Sequence, residues 1–237
     1  MFIQGDSMFK DKKVAAIIVA AGKGTRMGSD IPKQYMTIAG KTILETTLYK
    51  FDKSNEIDEI VLIVNKDDLD YVTDEIAVNY YKLTVVKAGG STRTESVFEG
   101  IKALSEKTNI VLIHDGVRPF VSYNLISNCV EGAYEFGACV PATDVVDTIK
   151  EVSEDNTVTK TLTRDRLKAV QTPQSFEYEL LRDCYIKAVT EDEAFTDDAS
   201  IVEYYGHKVK VIDGLPRNIK ITTPLDLRIA EIFASIY

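Results

Sequence analysis

Five basic residues, Arg26, Lys33, Arg118, Arg164 and Lys220, stand at or beside the ends of apolar runs or in polar loops. Guanidinium and ammonium groups gathered at such places suit an anion, above all a phosphate. The first lies in "VAAIIVAAGKGTRMG", residues 14–28, an apolar run that breaks into a basic glycine-rich loop. Gly22 and Gly24 let backbone N–H groups approach a phosphate with no Cβ in the way. Three kinds of phosphate loop compete. A dinucleotide fingerprint needs G-x-G-x-x-G, and here the third glycine is displaced to Gly28. A P-loop needs G-x-x-x-x-G-K-[ST]; Gly40-Lys41-Thr42 fails because Tyr35 holds the first glycine position. A nucleotidyltransferase loop pairs a short glycine turn and its Arg with a Lys soon after, which Lys33 in "IPKQY" supplies. The plain alternative is a glycine turn with solvated Arg26 and Lys33.

Other segments fall at expected strand ends. In "AGGSTRTESV", Gly89 and Gly90 follow a strand, and Arg93 and Ser96 open a helix whose N-terminus favours anions. In "NIVLIHDGVRPF", Asp115 ends an apolar strand. A carboxylate there is costly unless it meets a metal, a ribose hydroxyl or a cation. Arg118 is the simplest partner, and His114 reads as a packed, hydrogen-bonded ring. Thr196, Asp197 and Asp198 precede a helix and are ordinary capping types. Lys220, between Ile219 and Ile221, is either exposed at an edge or aimed into a polar site. No Ser-His-Asp order, HExxH motif or zinc-type cysteine cluster is present.

These groups need a scaffold. Val14–Ala20, Glu59–Val64 and Asn109–His114 are continuous apolar runs, as in strands covered on both faces. Leu83–Lys87 is a further strand. Thr42–Phe51, Asp67–Asn79, Thr94–Glu106 and Asn124–Phe136 carry helical spacing, and Thr42 is a candidate cap. This alternation predicts an α/β fold, a mostly parallel sheet with helices on both faces. After the strand Ala138–Ala142, residues 143–167 alternate β-branched and polar types around a turn at Ser153–Asn156, which predicts a projecting β-arm. A short strand at Ile219–Ile221 and a helix from Pro224 to about Ser235 close the chain. With no repeat or linker, residues 1–237 read as one domain. Residues 1–12 read as a loose extension, and Met8 is a second candidate start.

Composition narrows the classes. The 237 residues carry a net charge of −9, which argues against general nucleic-acid binding but not against a local basic pocket. No apolar run is long enough to span a membrane, and no signal-peptide core precedes Val14. Cys129, Cys139 and Cys184 are widely spaced and odd in number, as expected of reduced thiols in a cytoplasmic protein.

Taken in order, "AAGKGTRMGSDIPKQY", "GGSTRTESV", "HDGVRPF", "DTIK", "QTPQSF", "TDDAS" and "NIKITTPLDL" resemble the cytidylyltransferases of 2-C-methyl-D-erythritol 4-phosphate. The likeness spans Val14 to about Ala230. A sister family acting on ribitol 5-phosphate shares the fold and most motifs. "HDGVRP" departs from the common "HDAARP" and its Val is also seen in the ribitol branch, whereas "TDDAS" and "VAAGKGTRMG" match the erythritol branch.

The resemblance implies a Rossmann-like nucleotidyltransferase fold and a homodimer in which each arm completes the other subunit's site. It implies a Mg2+-dependent transfer of the cytidylyl group from CTP to the sugar-alcohol phosphate, with release of pyrophosphate. Arg26 and Lys33 would stabilise the transition state at the α-phosphate, and Arg164 and Lys220 would position the nucleophile. Ala20, Ala21, Gly22, Lys23, Gly24, Gly90, Ser91, Ser96 and Asp115 would hold CTP. Asp115, Arg118, Thr148, Arg164, Thr172, Thr196 and Lys220 would line the sugar-phosphate site, with Thr148 and Arg164 reaching it from the partner. Asp115 is the candidate metal ligand, the remaining ligands being CTP phosphates and water. A regulator that only bound nucleotide would not need Arg26, Lys33, Arg164 and Lys220 together.

Overall fold

The computed structural model describes residues 9–22, 31–191 and 193–236. At the centre lies the strand Lys13–Ala20. Its side chains alternate between two cores, Val14, Ala16, Ile18 and Ala20 on one face and Ala15 and Ile17 on the other. It pairs in parallel with Glu59–Val64 and with Thr108–Asp115. The sheet runs Lys168–Val170, Ala138–Asp144, Gln174–Glu177, Thr108–Asp115, Lys13–Ala20, Glu59–Val64, Leu83–Ala88, and Lys210–Asp213 adds to Ala138–Asp144. The left half mixes directions: Gln174–Glu177 runs antiparallel to both of its neighbours.

Helices cover both faces, as the alternation of elements predicts. Ile43–Asp52 and Tyr123–Phe136 bury Leu44, Leu48, Phe51, Leu125 and Ile126 against one face. Arg93–Ala103, Tyr178–Ala188 and Asp198–Tyr204 bury Val97, Ile101, Leu181 and Ile201 against the other. Local chemistry fixes where they begin. The Thr42 hydroxyl accepts from Glu45 N–H at 3.1 Å while Glu45 Oε2 accepts from Thr42 N–H at 2.9 Å. Thr92 and Glu95 repeat this reciprocal cap at the next helix. Each cap contributes about 1 kcal/mol by satisfying donors the helix cannot.

Two expectations are corrected. Residues 67–79 do not form one helix. The chain passes through a 3-10 turn, a short α turn, a π turn and another 3-10 turn, with only Val72 and Ile76 fully buried. Too few apolar positions face the sheet to hold one continuous helix there. Ile219–Ile221 is not a strand; a single backbone bond, Ile221 N–H to Val117 O at 3.0 Å, ties it down. The arm is present as a separate hairpin, Lys150–Val152 with Val158–Thr161, and every residue in both strands is exposed.

His114 is fully buried in the Thr108–Asp115 strand, with its ring 4.8 Å from that of Phe51. Thr172 Oγ1 accepts from Asp115 N–H at 3.1 Å and lies 3.0 Å from His114 Nδ1. The hydroxyl therefore donates to Nδ1, and Nε2–H is left to donate to Arg118 O at 3.2 Å. This arrangement requires a neutral imidazole, and burial pushes its pKa down to about 4 from 6.5. The unfolded chain therefore binds a proton between these values that the folded chain refuses. Stability is full above pH 6.5 and falls by about 3 kcal/mol as pH drops to 4. Urea unfolding across that window should show the loss, and His114→Asn should flatten it.

Candidate active site

The parallel strands Lys13–Ala20 and Thr108–Asp115 are neighbours, yet the chain visits Glu59–Val64 and Leu83–Ala88 between them. Their carboxyl ends thus form the crevice where an open α/β sheet binds its ligand. A cavity of about 530 Å3 opens there. It is lined by Ala20, Ala21, Gly22, Lys33, Gly90, Ser91, Ser96, Asp115 and Lys220, nine of the residues singled out from sequence. An added Cβ at Gly22 would meet nothing within 4 Å, so the backbone there faces open space. At Gly89 it would meet Ser96 Oγ at 2.6 Å and Ala21 Cβ at 2.8 Å, so only glycine lets these two loops touch. Lys23, Gly24 and Arg26 lie outside the described residues.

Asp115 organises the cations. Its Oδ2 lies 3.0 Å from Lys220 Nζ and 3.2 Å from Arg118 Nε. Arg118 Nη1 also donates to Asn218 O at 2.8 Å, and Asn218 Nδ2 donates to Thr172 O at 2.8 Å. Burial opposes ionisation of Asp115, but Lys220, Arg93 and Arg118 overcome it and hold the carboxyl far below the usual range. The Arg118–Asp115 pair expected from sequence is therefore present, and Lys220 is aimed into the polar site rather than lying idle at an edge.

Some expected residues are not brought to the cavity. Arg118 and Thr172 stand behind it, touching Asp115. Thr196 is exposed and precedes Asp197, which caps the helix Asp198–Tyr204 through Ser200 N–H at 2.9 Å. Thr148 and Arg164 are exposed on the arm, and Arg164 Nη1 donates to Val146 O at 3.1 Å. Neither is among the residues lining the cavity of its own chain. Ser91 lines the cavity, but its hydroxyl donates to Glu95 Oε2 at 2.6 Å.

Sequence reasoning placed Arg93 at the start of its helix but missed the partner that holds it in the wall. Arg93 lines the cavity and grips buried Asp198 with two bonds, Nη1 to Oδ1 at 2.8 Å and Nη2 to Oδ2 at 2.6 Å. Tyr185 donates to the same carboxylate at 2.5 Å. Gln174 ties in the neighbouring backbone by donating to Asp197 and accepting from Ala199 N–H. Burial works against the Arg93 charge, and Asp198 more than restores it. Gln34 and Asn65 also line the cavity. The only available signal was the pairing of "GGSTRTES" with "TDDAS", and it gives no hint of contact across 105 residues.

Among the described residues no cluster of three His, Cys, Asp or Glu side chains could hold a metal ion by itself. Asp115 is the one carboxylate among the cavity's lining residues. What the arrangement can do is gather anions: Gly22, the helix-capping loop at Gly90, Ser91 and Thr92, and the cations Lys33, Arg93 and Lys220 line one open cavity.

Comparison with known proteins agrees with this geometry. The family model described as IspD, 2-C-methyl-D-erythritol 4-phosphate cytidylyltransferase, matches residues 14–235. The 2-C-methyl-D-erythritol 4-phosphate cytidylyltransferase of Clostridium novyi is 45% identical over 221 residues, 92% of this chain and 95% of that protein. The one from Syntrophus aciditrophicus is 45% identical over 223 residues, 93% and 95% of the two chains. Among solved structures, 4-diphosphocytidyl-2C-methyl-D-erythritol synthase of Anaerococcus prevotii superposes with a TM-score of 0.84 at 37% identity, covering 94% of this chain and 96% of that one. The cytidylyltransferase of Thermus thermophilus gives 0.75 at 33% identity, covering 94% and 99%. The Rossmann-like sheet, its cation-lined crevice and these matches along nearly the whole length place the chain in the 2-C-methyl-D-erythritol 4-phosphate cytidylyltransferase family.

Proposed function

We propose that this enzyme transfers the cytidylyl group of CTP to 2-C-methyl-D-erythritol 4-phosphate, a step of isoprenoid-precursor synthesis, and that the cavity at the ends of Lys13–Ala20 and Thr108–Asp115 is where it does so. The observation that carries this reading is the meeting of Lys33, Lys220 and Asp115 with Gly22 in one cavity. A phosphate oxygen of the acceptor attacks the α-phosphorus of CTP. The new P–O bond forms as the bond to the bridging oxygen breaks, and pyrophosphate leaves with the electron pair. A phosphate monoester is largely dianionic near neutral pH, so no general base is needed. Neutral His114, with both ring nitrogens engaged, agrees with a reaction that asks for none.

The obstacle is repulsion between two anions. In this reading Ala20 to Gly24, Gly90, Ser91 and Ser96 cradle CTP, while Arg26 and Lys33 stabilise charge growing on the α-phosphate. Lys220 receives the acceptor phosphate, while Arg118 and Thr172 hold Asp115 beside it from behind the cavity. Thr148 and Arg164 join them from the arm of a second subunit. Four apolar residues in and beside the arm, Val146, Ile149, Val152 and Val158, are exposed in the single chain, which supports a partner covering them. Residues 1–237 then form one nucleotidyltransferase domain, with 143–167 as the dimerisation arm. Three buried free thiols accord with a reducing cytoplasm.

Mg2+ belongs to the same reading. It takes oxygen ligands and usually keeps water and substrate phosphates, with one or two carboxylates from protein. Both ion pairs of Asp115 use Oδ2. The donor set therefore fits an ion held mainly by CTP phosphates and water, with Asp115 as its single carboxylate. When bound, it would neutralise phosphate charge alongside the fixed cations.

Pyrophosphate release from CTP and Mg2+ with each sugar phosphate tests the activity. Release is expected with 2-C-methyl-D-erythritol 4-phosphate; release with ribitol 5-phosphate alone would move the chain to the sister reaction. Lys33→Ala and Arg26→Ala should each lower kcat by about 10²- to 10³-fold while CTP affinity changes far less. Unchanged kcat in either variant would remove that residue from the chemistry. Mixing inactive Arg164→Ala with inactive Arg26→Ala subunits should restore activity, because one of the two sites in a mixed dimer is then intact. Verified mixed dimers without activity would mean that both residues serve the same subunit's site.

A further inference from the structure

A second cavity, of about 350 Å3, shares no lining residue with the first. It is bounded by Pro119 and Phe120, directly after Arg118, and by Arg217, three residues before Lys220. Its lining has two characters. Ile38, Phe120, Val121 and Ala234 supply apolar walls, while Lys41, Lys50 and Arg217 supply positive charge. No carboxylate lines it, in a chain whose net charge is −9.

Lys41 and Lys50 make no ion pair among the described residues. Their ammonium groups rest on rings instead, Lys41 at 5.0 Å from the Tyr49 centroid and Lys50 at 5.4 Å from that of Tyr123. Burial, then the nearby Arg217 charge, lowers the Lys50 pKa. Lys50 and Arg217, both half-buried, repel each other, and an anion placed between them would relieve that repulsion, with exposed Lys41 on the same wall adding charge. Ser122 and Tyr123, at the start of the helix Tyr123–Phe136, also line the cavity and add the positive end of its dipole.

We propose that this cavity binds a small amphipathic anion, an organic phosphate with a short hydrocarbon tail. The dianionic head lies among Lys41, Lys50 and Arg217, and the tail lies against Ile38 and Phe120. Three cations match a dianion better than a single carboxylate, and the apolar walls account for the tail. The site is separate from the catalytic cavity and goes beyond the transferase reading.

Calorimetric titration of hexyl phosphate into the full-length protein, with CTP and Mg2+ saturating and no acceptor present, tests this. One saturable site is expected, weakened at least about tenfold in Lys50→Glu and unchanged in Lys33→Ala. Hexanol and inorganic phosphate should each bind at least about tenfold more weakly than hexyl phosphate, since each offers only half of the recognition. Lys50→Glu should retain its circular dichroism and its turnover; Lys41→Glu provides the same test if it does not fold. Absence of saturable binding, displacement by CTP, binding undiminished in a folded Lys-to-Glu variant, or hexanol binding as tightly as hexyl phosphate would each overturn the proposal.

Discussion

One buried carboxylate sets the layout of the cavity at the strand ends. Asp115 ends a strand whose middle, Ile110–Ile113, is wholly apolar, and it sits beside Val19 of the central strand. Removing such a charge from water costs several kcal/mol, which only close cations can offset. Lys220 and Arg118 provide the two ion pairs, and both come from irregular backbone rather than from sheet or helix. The carboxylate thus draws two mobile side chains to the crevice and fixes them before any substrate arrives. Preorganised cations of this kind need not rearrange as charge develops during transfer.

A second ion pair braces the opposite wall. Arg93 opens the helix Arg93–Ala103, and Asp198 opens the helix Asp198–Tyr204. Their bidentate contact, with Tyr185 on the same carboxylate, ties two helix N-termini together beneath the cavity loop. Breaking a buried pair from one side costs about 3–5 kcal/mol. The loop that carries Gly90 and Ser91 therefore rests on a contact made far along the chain. The two ion pairs also communicate, since Arg93 contributes to the low pKa of Asp115.

Much of this was legible in sequence where the signal is local. Val14–Ala20 announced a strand buried on both faces, because every position is apolar, and Thr42 announced a cap because a capping residue type precedes a helical run. Asp115 and Arg118 are three residues apart, so their pairing could be read directly. Residues 67–79 misled because charged types dilute the apolar stripe, leaving a chain of short turns. Ile219–Ile221 looked like a strand because β-branched residues flank Lys220, yet the segment is held by buried Ile221, the Lys220–Asp115 ion pair and one backbone bond rather than by a strand ladder. The Arg93–Asp198 contact was invisible for a different reason. Capping chemistry explained each residue separately, and nothing local joins positions 105 residues apart. The arm was legible as a hairpin from its alternation around a polar turn, and its strands pair only with each other in the single chain.

The account turns on Asp115 remaining charged because Lys220 and Arg118 hold it so. The most direct measurement follows the Asp115 carboxyl carbon by 13C NMR through an acid titration, in the parent protein and in Lys220→Met. The parent should show no protonation step near the ordinary aspartate value of about 3.9, and removal of Lys220 should raise the step. A parent protein titrating at the ordinary value, unmoved by Lys220→Met, would contradict the account.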